Sequence, residues 1–266
     1  MTGAGGMLGQ DVMRIAGPEA VGLTRAELDV TDLDAVRAAI GPDDVVVNCA
    51  AWTDVDGAEE RPDAAMRVNR DGARNVAEAA GKVVYVSSDY VFDGTKDSPY
   101  VESDRRNPVS AYGRSKAEGE LATLEANPSS HIVRTSWLFG VAGGNFVATM
   151  LRLGAERDSV RVVDDQVGQP TYAGHLAQAL LQIAESDDYG IHHRSSHGQC
   201  SWYELARFVF ETARVDCEIE PCTTAEFPRP APRPAYSVLG SERGEPSLPE
   251  WQRGVTEYLA AREVRA

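Results

Sequence analysis

The chain has 266 residues, 42% hydrophobic and 25% charged, enough for one large α/β unit or two intimately joined parts. A formal net charge of −15 argues against a nucleic-acid partner and against an anionic membrane surface. No signal pattern and no apolar run of bilayer length is visible, and Cys49, Cys200, Cys217 and Cys222 lack the spacing of a disulfide framework. Reduced thiols, a cytoplasmic location and no membrane partner are the expectation.

The chain opens Met1-Thr2-Gly3-Ala4-Gly5-Gly6-Met7-Leu8-Gly9. Gly3, Gly6 and Gly9 form a G-x-x-G-x-x-G. That pattern suits a tight turn, a close backbone approach to a pyrophosphate, and a helix whose free N–H groups bind the anion. Apolar residues recur at helical spacing from Met7 to Ile15. Such a turn follows a strand that is central in its sheet, yet only Met1 precedes Thr2. A truncated first strand, and a natural start several residues upstream of Met1, are therefore expected.

Ala20–Leu23 reads as a second strand, followed by Thr24-Arg25. An acid there would bind the ribose hydroxyls of NAD and repel a 2′-phosphate. The Arg25 guanidinium suits a phosphate instead, although Glu27 and Asp29 follow closely. NADPH is favoured, with NADH left open.

Asp32, or Thr31 before it, caps a helix over Leu33–Ile40. Val45–Ala51 is a buried strand, Met66–Ala80 a helix, and Lys82–Ser88 another buried strand. The helix Val109–Glu125 carries Tyr112 and Lys116, four apart and so on one face. An ammonium beside a phenol favours the phenolate, lowers its pKa and yields a proton donor and acceptor for neutral pH. With only Lys82, Lys96 and Lys116 in the chain, this pairing is the feature from which chemistry can be argued. His131–Leu138 is a further strand. The alternation predicts a Rossmann-type doubly wound parallel sheet, with ligands at the carboxyl ends of the strands. The glycine-rich turn, Ala50–Thr53, Ser87–Asp89 and Ser136–Trp137 all lie at such ends.

The second half is less regular and predicts a smaller α/β substrate-binding part. Asn145–Glu156 is helical, Val160–Val163 a short strand, Ala173–Glu185 a helix and Gly190–Ser195 a strand. Ser201 caps a helix over Trp202–Ala213. His192, His193 and His197 fall on a strand and the loop after it, and no metal-ligand set is assigned. Four prolines between Phe227 and Pro234 make a stiff extended segment, on which Arg229 and Arg233 suit a diphosphate. The boundaries expected are 1–140 with 172–190 for the dinucleotide-binding domain, and 141–171 with 191–266 for the substrate part.

Thr2-Gly-x-x-Gly-x-x-Gly9, Asn48-Cys-Ala-Ala-Trp-Thr53, Val68-Asn-x-x-Gly72, Ser87-Ser-Asp-Tyr-Val-Phe-Asp-Gly94 and Tyr112-Gly-x-Ser-Lys116 together resemble an extended short-chain dehydrogenase/reductase. Gly144-Asn-Phe146, Val163-Asp-Asp-Gln-x-Gly-Gln-Pro-Thr171 and Arg233-Pro-Ala-Tyr-Ser237 resemble the substrate-domain markers of its dTDP-4-dehydrorhamnose reductase family. The resemblance runs over nearly the whole chain.

It implies these roles. Gly3, Gly6, Met7, Leu8 and Gly9 follow the pyrophosphate, and Asp29 and Val30 lie on the adenine side. Ala51, Trp52 and Thr53 line the cofactor between pyrophosphate and nicotinamide. Tyr112 is the proton donor, Lys116 holds the nicotinamide ribose, and the Ser88 hydroxyl bonds the reacting oxygen. Asp89, Trp137, Asn145 and Arg233 belong to the substrate site. The implied reaction passes hydride from NAD(P)H to the C4 ketone of a nucleotide-activated 6-deoxysugar, in a monomer or homodimer. A nucleotide-sugar epimerase and a non-catalytic NADP-binding regulatory subunit share the scaffold. A dehydratase would add a Glu after Asp89, where Tyr90 stands.

Overall fold

The computed structural model describes residues 1–244 and 247–263. In the first half, α1 (Met7–Ala16), α2 (Leu33–Ala39), β1 (Val45–Asn48), α3 (Val55–Glu60), α4 (Pro62–Met66), α5 (Gly72–Ala79), β2 (Lys82–Ser88), α6 (Ala111–Ala126) and β3 (Ser130–Thr135) alternate as expected. The second half adds β4 (Leu138–Phe139), α7 (Phe146–Glu156), β5 (Ser159–Val163), β6 (Val167–Gly168), β7 (Thr171–Tyr172), α8 (Ala173–Glu185) and β8 (Gly190–His193). It ends with β9 (Ser196–His197), β10 (Cys200–Ser201), α9 (Trp202–Ala213), β11 (Glu218–Cys222), β12 (Leu248–Glu250) and α10 (Trp251–Glu263).

β1, β2, β3 and β8 form a parallel sheet in that order. Thr2 continues it, bridging Asn48 on one side and Leu23 on the other. Read across the sheet, the chain therefore reverses direction between Thr2 and Asn48. In doubly wound sheets that reversal opens a crevice at the carboxyl ends, where ligands bind.

Strand alternation explains the two covered faces. Val83 and Tyr85 of β2 pack with Val36, Val76 and Ala77 of α2 and α5. Val84 packs on the other face with Leu8, Val12, Leu176 and Leu180 of α1 and α8. A separate core joins α7, α9 and α10 to β5 through Val147, Met150, Val160, Leu205, Val209 and Val255.

The helix starts follow their caps. Asp32, Ser110, Asn145 and Ser201 each accept a backbone N–H of the first turn, and Ser201 forms a full capping box with Glu204.

Several boundaries differ from the sequence reading. The strand expected at Ala20–Leu23 reduces to one bridge, Leu23 with Thr2, flanked by bonds from Leu23 N to Met1 O (2.9 Å) and from Ala4 N to Leu23 O (3.1 Å); Val21 is 69% exposed. Val45–Ala51 stops at Asn48, where the chain turns into the crevice. The helix expected over Met66–Ala80 contains a π turn, Arg67–Asp71. The strand His131–Leu138 stops at Thr135, since Trp137 adopts a left-handed φ of 44° and the chain restarts as β4. β8 pairs with β3 through His193, so the domain boundary drawn at residue 190 cuts a strand of the main sheet.

Candidate active site

The crevice is a cavity of about 1040 Å³ at the carboxyl ends of the strands. At its base, Gly3 has a φ of 72°, and a Cβ there would stand 2.7 Å from the backbone of Cys49 and Ala50. A Cβ on Gly9 would stand 2.2 Å from the Gly3 carbonyl oxygen. The turn thus demands glycine for a conformation and for an approach. Behind it, α1 starts at Gly6 with no side-chain cap and no acid in its first turn, leaving its N–H groups for an anion. These features fit a dinucleotide pyrophosphate.

Gly3, Gly6, Met7, Leu8 and Gly9 all line the cavity, as do Ala51, Trp52 and Thr53. Arg25, Asp29 and Val30 line its far end together with Arg67, which the sequence reading did not single out. Arg67 directly precedes the Val68-Asn69-x-x-Gly72 stretch, and its place became legible only with the π turn. The two acids that complicate this end are locally occupied. Glu27 accepts the Thr24 N–H (2.8 Å) and hydroxyl (2.7 Å), and Asp29 accepts those of Thr31 (3.0 and 2.8 Å). Thr31 holds the Asp29 carboxyl below its usual range, with Arg25 and Arg67 adding to the effect.

Ser88, Asp89, Tyr112, Lys116, Thr135 and Trp137 line the other end. Asn69, fully buried in the π turn, fixes this wall. Its side chain bonds Trp52 N (2.8 Å), Trp52 O (3.1 Å) and Ser115 Oγ (2.8 Å), joining the loop after β1 to α6 between Tyr112 and Lys116. Trp137 stacks on Trp202 with ring centroids 3.5 Å apart and 5° between planes. Trp202, missed in the sequence reading, lies at the start of α9, where only its proximity to the Ser201 cap marked it.

The electrostatics correct one expectation. Lys116 was expected to lower the Tyr112 pKa. Instead burial pushes the Tyr112 phenol up to about 12; Ser88 hydrogen bonding opposes this and the Asp89 charge adds to it. Lys116 Nζ donates to Val86 O (2.7 Å) and lies 4.1 Å from the Tyr85 ring centroid. Burial lowers Lys116 to about 7 against the opposing charge of Glu120. Asp89, 2% exposed, is raised by burial to about 7, and its Oδ2 makes no hydrogen bond. Ser88 Oγ donates to Asp89 Oδ1 at 3.0 Å.

Two expected substrate residues stand apart from the cavity lining. Asn145 is used as the cap of α7, accepting Ala148 N (2.9 Å) and donating to Gly140 O (2.8 Å). Arg233 donates to Asp56 Oδ1 (2.5 Å), and Arg229 donates to Asp56 Oδ2 through Nε (3.0 Å) and Nη2 (2.5 Å). Asp56 thereby anchors the proline-rich segment to α3, its single carboxylate shared by the two guanidiniums; the Asp56 carboxyl is held well below its usual range, by Arg233 above all.

A family model described as the RmlD substrate binding domain matches residues 1–264. A dTDP-4-dehydrorhamnose reductase of Mycolicibacterium smegmatis is 44% identical, covering 98% of this chain and 84% of the relative. Among solved structures, a dTDP-4-dehydrorhamnose reductase from Clostridium acetobutylicum matches with a TM-score of 0.94 and 40% identity over 98% of each chain. Its counterpart from Bacillus anthracis, solved in complex with NADP, matches with a TM-score of 0.92 and 36% identity over 98% of this chain and 97% of that one. No helix among the described residues is long and apolar enough to cross a membrane.

Proposed function

The chain belongs to the dTDP-4-dehydrorhamnose reductase family, and on that premise we propose that it passes hydride from NADPH to the C4 ketone of a nucleotide-activated 6-deoxysugar, converting dTDP-4-dehydro-L-rhamnose to dTDP-L-rhamnose. The observation that carries this reading is one cavity with a glycine-rich anion cradle at one end and Ser88, Tyr112 and Lys116 at the other.

The cofactor, when bound, supplies the hydride. Gly3, Gly6, Met7, Leu8 and Gly9 hold its pyrophosphate, and Ala51, Trp52 and Thr53 line its path towards Tyr112. Arg25, with Arg67, takes the 2′-phosphate; the local bonding of Glu27 and Asp29 supports NADPH over NADH. Tyr112 gives its proton to the C4 oxygen as that atom becomes an alkoxide. A phenol kept protonated by burial is suited to this direction, since an alkoxide is the stronger base. Ser88 donates a hydrogen bond to the same oxygen, and the Lys116 ammonium steadies the ribose and the phenolate left behind. Asp89 and Trp137 bound the sugar pocket. Asn145 shapes the loop beside that pocket from its cap, and Arg233 approaches the diphosphate from the segment held on Asp56. Residues 1–140 and 172–190 are proposed as the dinucleotide-binding part and 141–171 with 191–266 as the substrate part, with the last residues of β8, 191–193, belonging to the sheet of the first, in a cytoplasmic monomer or homodimer.

The test is NADPH consumption with dTDP-4-keto-6-deoxy-mannose compared with other 4-keto sugar nucleotides. Preferred turnover of the first is expected. Interconversion of epimers without net NADPH loss would favour an epimerase, and tight NADPH binding without turnover of any sugar a regulatory subunit.

A further inference from the structure

One cluster of buried charge beneath α6 takes no direct part in the reduction. Glu120 lies one helical turn beyond Lys116 and two beyond Tyr112, and it is fully buried. Its Oε1 accepts from Ser87 Oγ (2.5 Å) and Arg134 Nε (2.8 Å), and its Oε2 from Arg134 Nη2 (2.8 Å) and Arg106 Nη1 (3.2 Å). Arg134, 1% exposed, also reaches Glu102 O and the His193 ring. Ser87 immediately precedes Ser88, and Arg134 immediately precedes the cavity residue Thr135. One carboxylate therefore bonds β2 and β3 at the ends where the site begins.

Lys116 is faced by Tyr85 from β2, by Cys49 after β1, and by Tyr112 and Glu120 on its own helix; the Met1 ammonium acts on Cys49, and Asp89 on Tyr112. Burial pushes Cys49 and Tyr112 up to about 12 and raises Tyr85 as well, so at neutral pH none of these three carries charge. Glu120 is held ionised by Arg134, Ser87 and Arg106 despite its burial. Its charge favours the Lys116 ammonium that burial disfavours. A buried carboxylate tied to two guanidiniums also tolerates little sliding, because any slip leaves a charge unpaired.

Resting on the reading of Tyr112 and Lys116 as the proton-handling pair, we propose that Glu120 is a positioning residue for it, locking α6 to β2 and β3 and supplying the counter-charge of the Lys116 ammonium.

The chain's three lysines make a direct test available. Lys82 pairs with Asp187 and Lys96 with Asp104, so two of the three serve as internal controls. Lysine-selective isotope labelling and NMR titration of the cofactor-free protein read each ammonium separately. In Glu120→Gln the Lys116 midpoint is expected to fall by about one unit while Lys82 and Lys96 hold. Because that change strands Arg134, the double variant Glu120→Gln/Arg134→Met, which removes both charges, is titrated alongside it with a smaller fall expected, since the lost Arg134 charge offsets part of the lost carboxylate's. The alkaline limb of the kcat profile should move to lower pH by the same amount. An unshifted Lys116 midpoint in a folded variant overturns the proposal. So does a kcat lowered by one factor at every pH, the signature of a purely structural role. The titration needs no sugar; failure to turn over any 4-keto sugar would count against the proposed reaction and leave this result readable.

Discussion

Gly119→Ala sets local propensity against packing, and the two predict opposite signs. In an exposed helix interior the change stabilises by about 1 kcal/mol. Gly119, however, lies where α6 meets β2 and the π turn. A Cβ there would stand 2.1 Å from Asn69 O and 2.3 Å from the Tyr85 hydroxyl, which donates a 3.0 Å hydrogen bond to that same Asn69 oxygen. Neither atom is the end of a flexible chain. One is backbone, and the other belongs to a fully buried ring that also carries Lys116 Nζ over its face. Overpacking costs about 1–3 kcal/mol, and stranding the buried Tyr85–Asn69 bond about 1–3 kcal/mol more. Set against the propensity gain, the net loss is about 1–5 kcal/mol. At about 2–4 °C per kcal/mol for a chain approaching this size, a central loss of about 3 kcal/mol lowers Tm by about 6–12 °C. Turnover should fall with it, because the displaced ring moves Lys116. The assay is thermal unfolding by circular dichroism together with kcat. A Tm equal to or above wild type would refute the packing argument.

Tyr112→Phe should abolish reduction and leave the NADPH Kd nearly unchanged, since only the acidic hydroxyl is removed; retained turnover would remove Tyr112 from the proton path. Arg25→Ala should weaken NADPH far more than NADH, by about 1.5–3 kcal/mol for one charge-assisted contact, as read by fluorescence titration with each cofactor. Equal losses would take Arg25 off the 2′-phosphate. For Asp89 the folded pKa, raised by burial to about 7, lies above the unfolded value, so its contribution is present at acid pH and lost as pH rises through about 7. Asp89→Asn should therefore gain Tm relative to wild type on going from about pH 5 to about pH 8 in the cofactor-free protein, and a pH-independent difference would show that Asp89 titrates normally.

Much of this architecture could be read from residues alone, for reasons tied to period and punctuation. Lys82–Ser88 came out unchanged because a strand covered on both faces reads as an unbroken apolar run. Ala173–Glu185 and Trp202–Ala213 came out unchanged too, the latter because Ser201 and Glu204 write a capping box into the sequence. The glycine turn and the Tyr112/Lys116 spacing are local patterns, so they placed both ends of the cavity. What stayed hidden depends on tertiary neighbours. No local signal distinguishes a π turn at Arg67–Asp71 from a continuous helix, and Arg67 was missed for that reason. The rule that an ammonium lowers a nearby phenol held no information on burial, which dominates Tyr112. Arg233 looked free to meet a diphosphate because Asp56, 177 residues away, gives no sign in sequence of meeting it.

The aromatic wall also makes the cavity optically conspicuous. Of the chain's four tryptophans, Trp52, Trp137 and Trp202 line it, and Trp251 is buried in the separate core. Two indoles stacked nearly face to face couple electronically, so Trp137 and Trp202 should give a paired near-ultraviolet dichroic band that a lone indole cannot produce. Trp52 lies along the proposed cofactor path, within range to hand its excitation to a reduced nicotinamide. The dichroic band of the stacked pair and energy transfer from Trp52 to a bound reduced nicotinamide are therefore two distinct intrinsic signals from the crevice, without any attached dye.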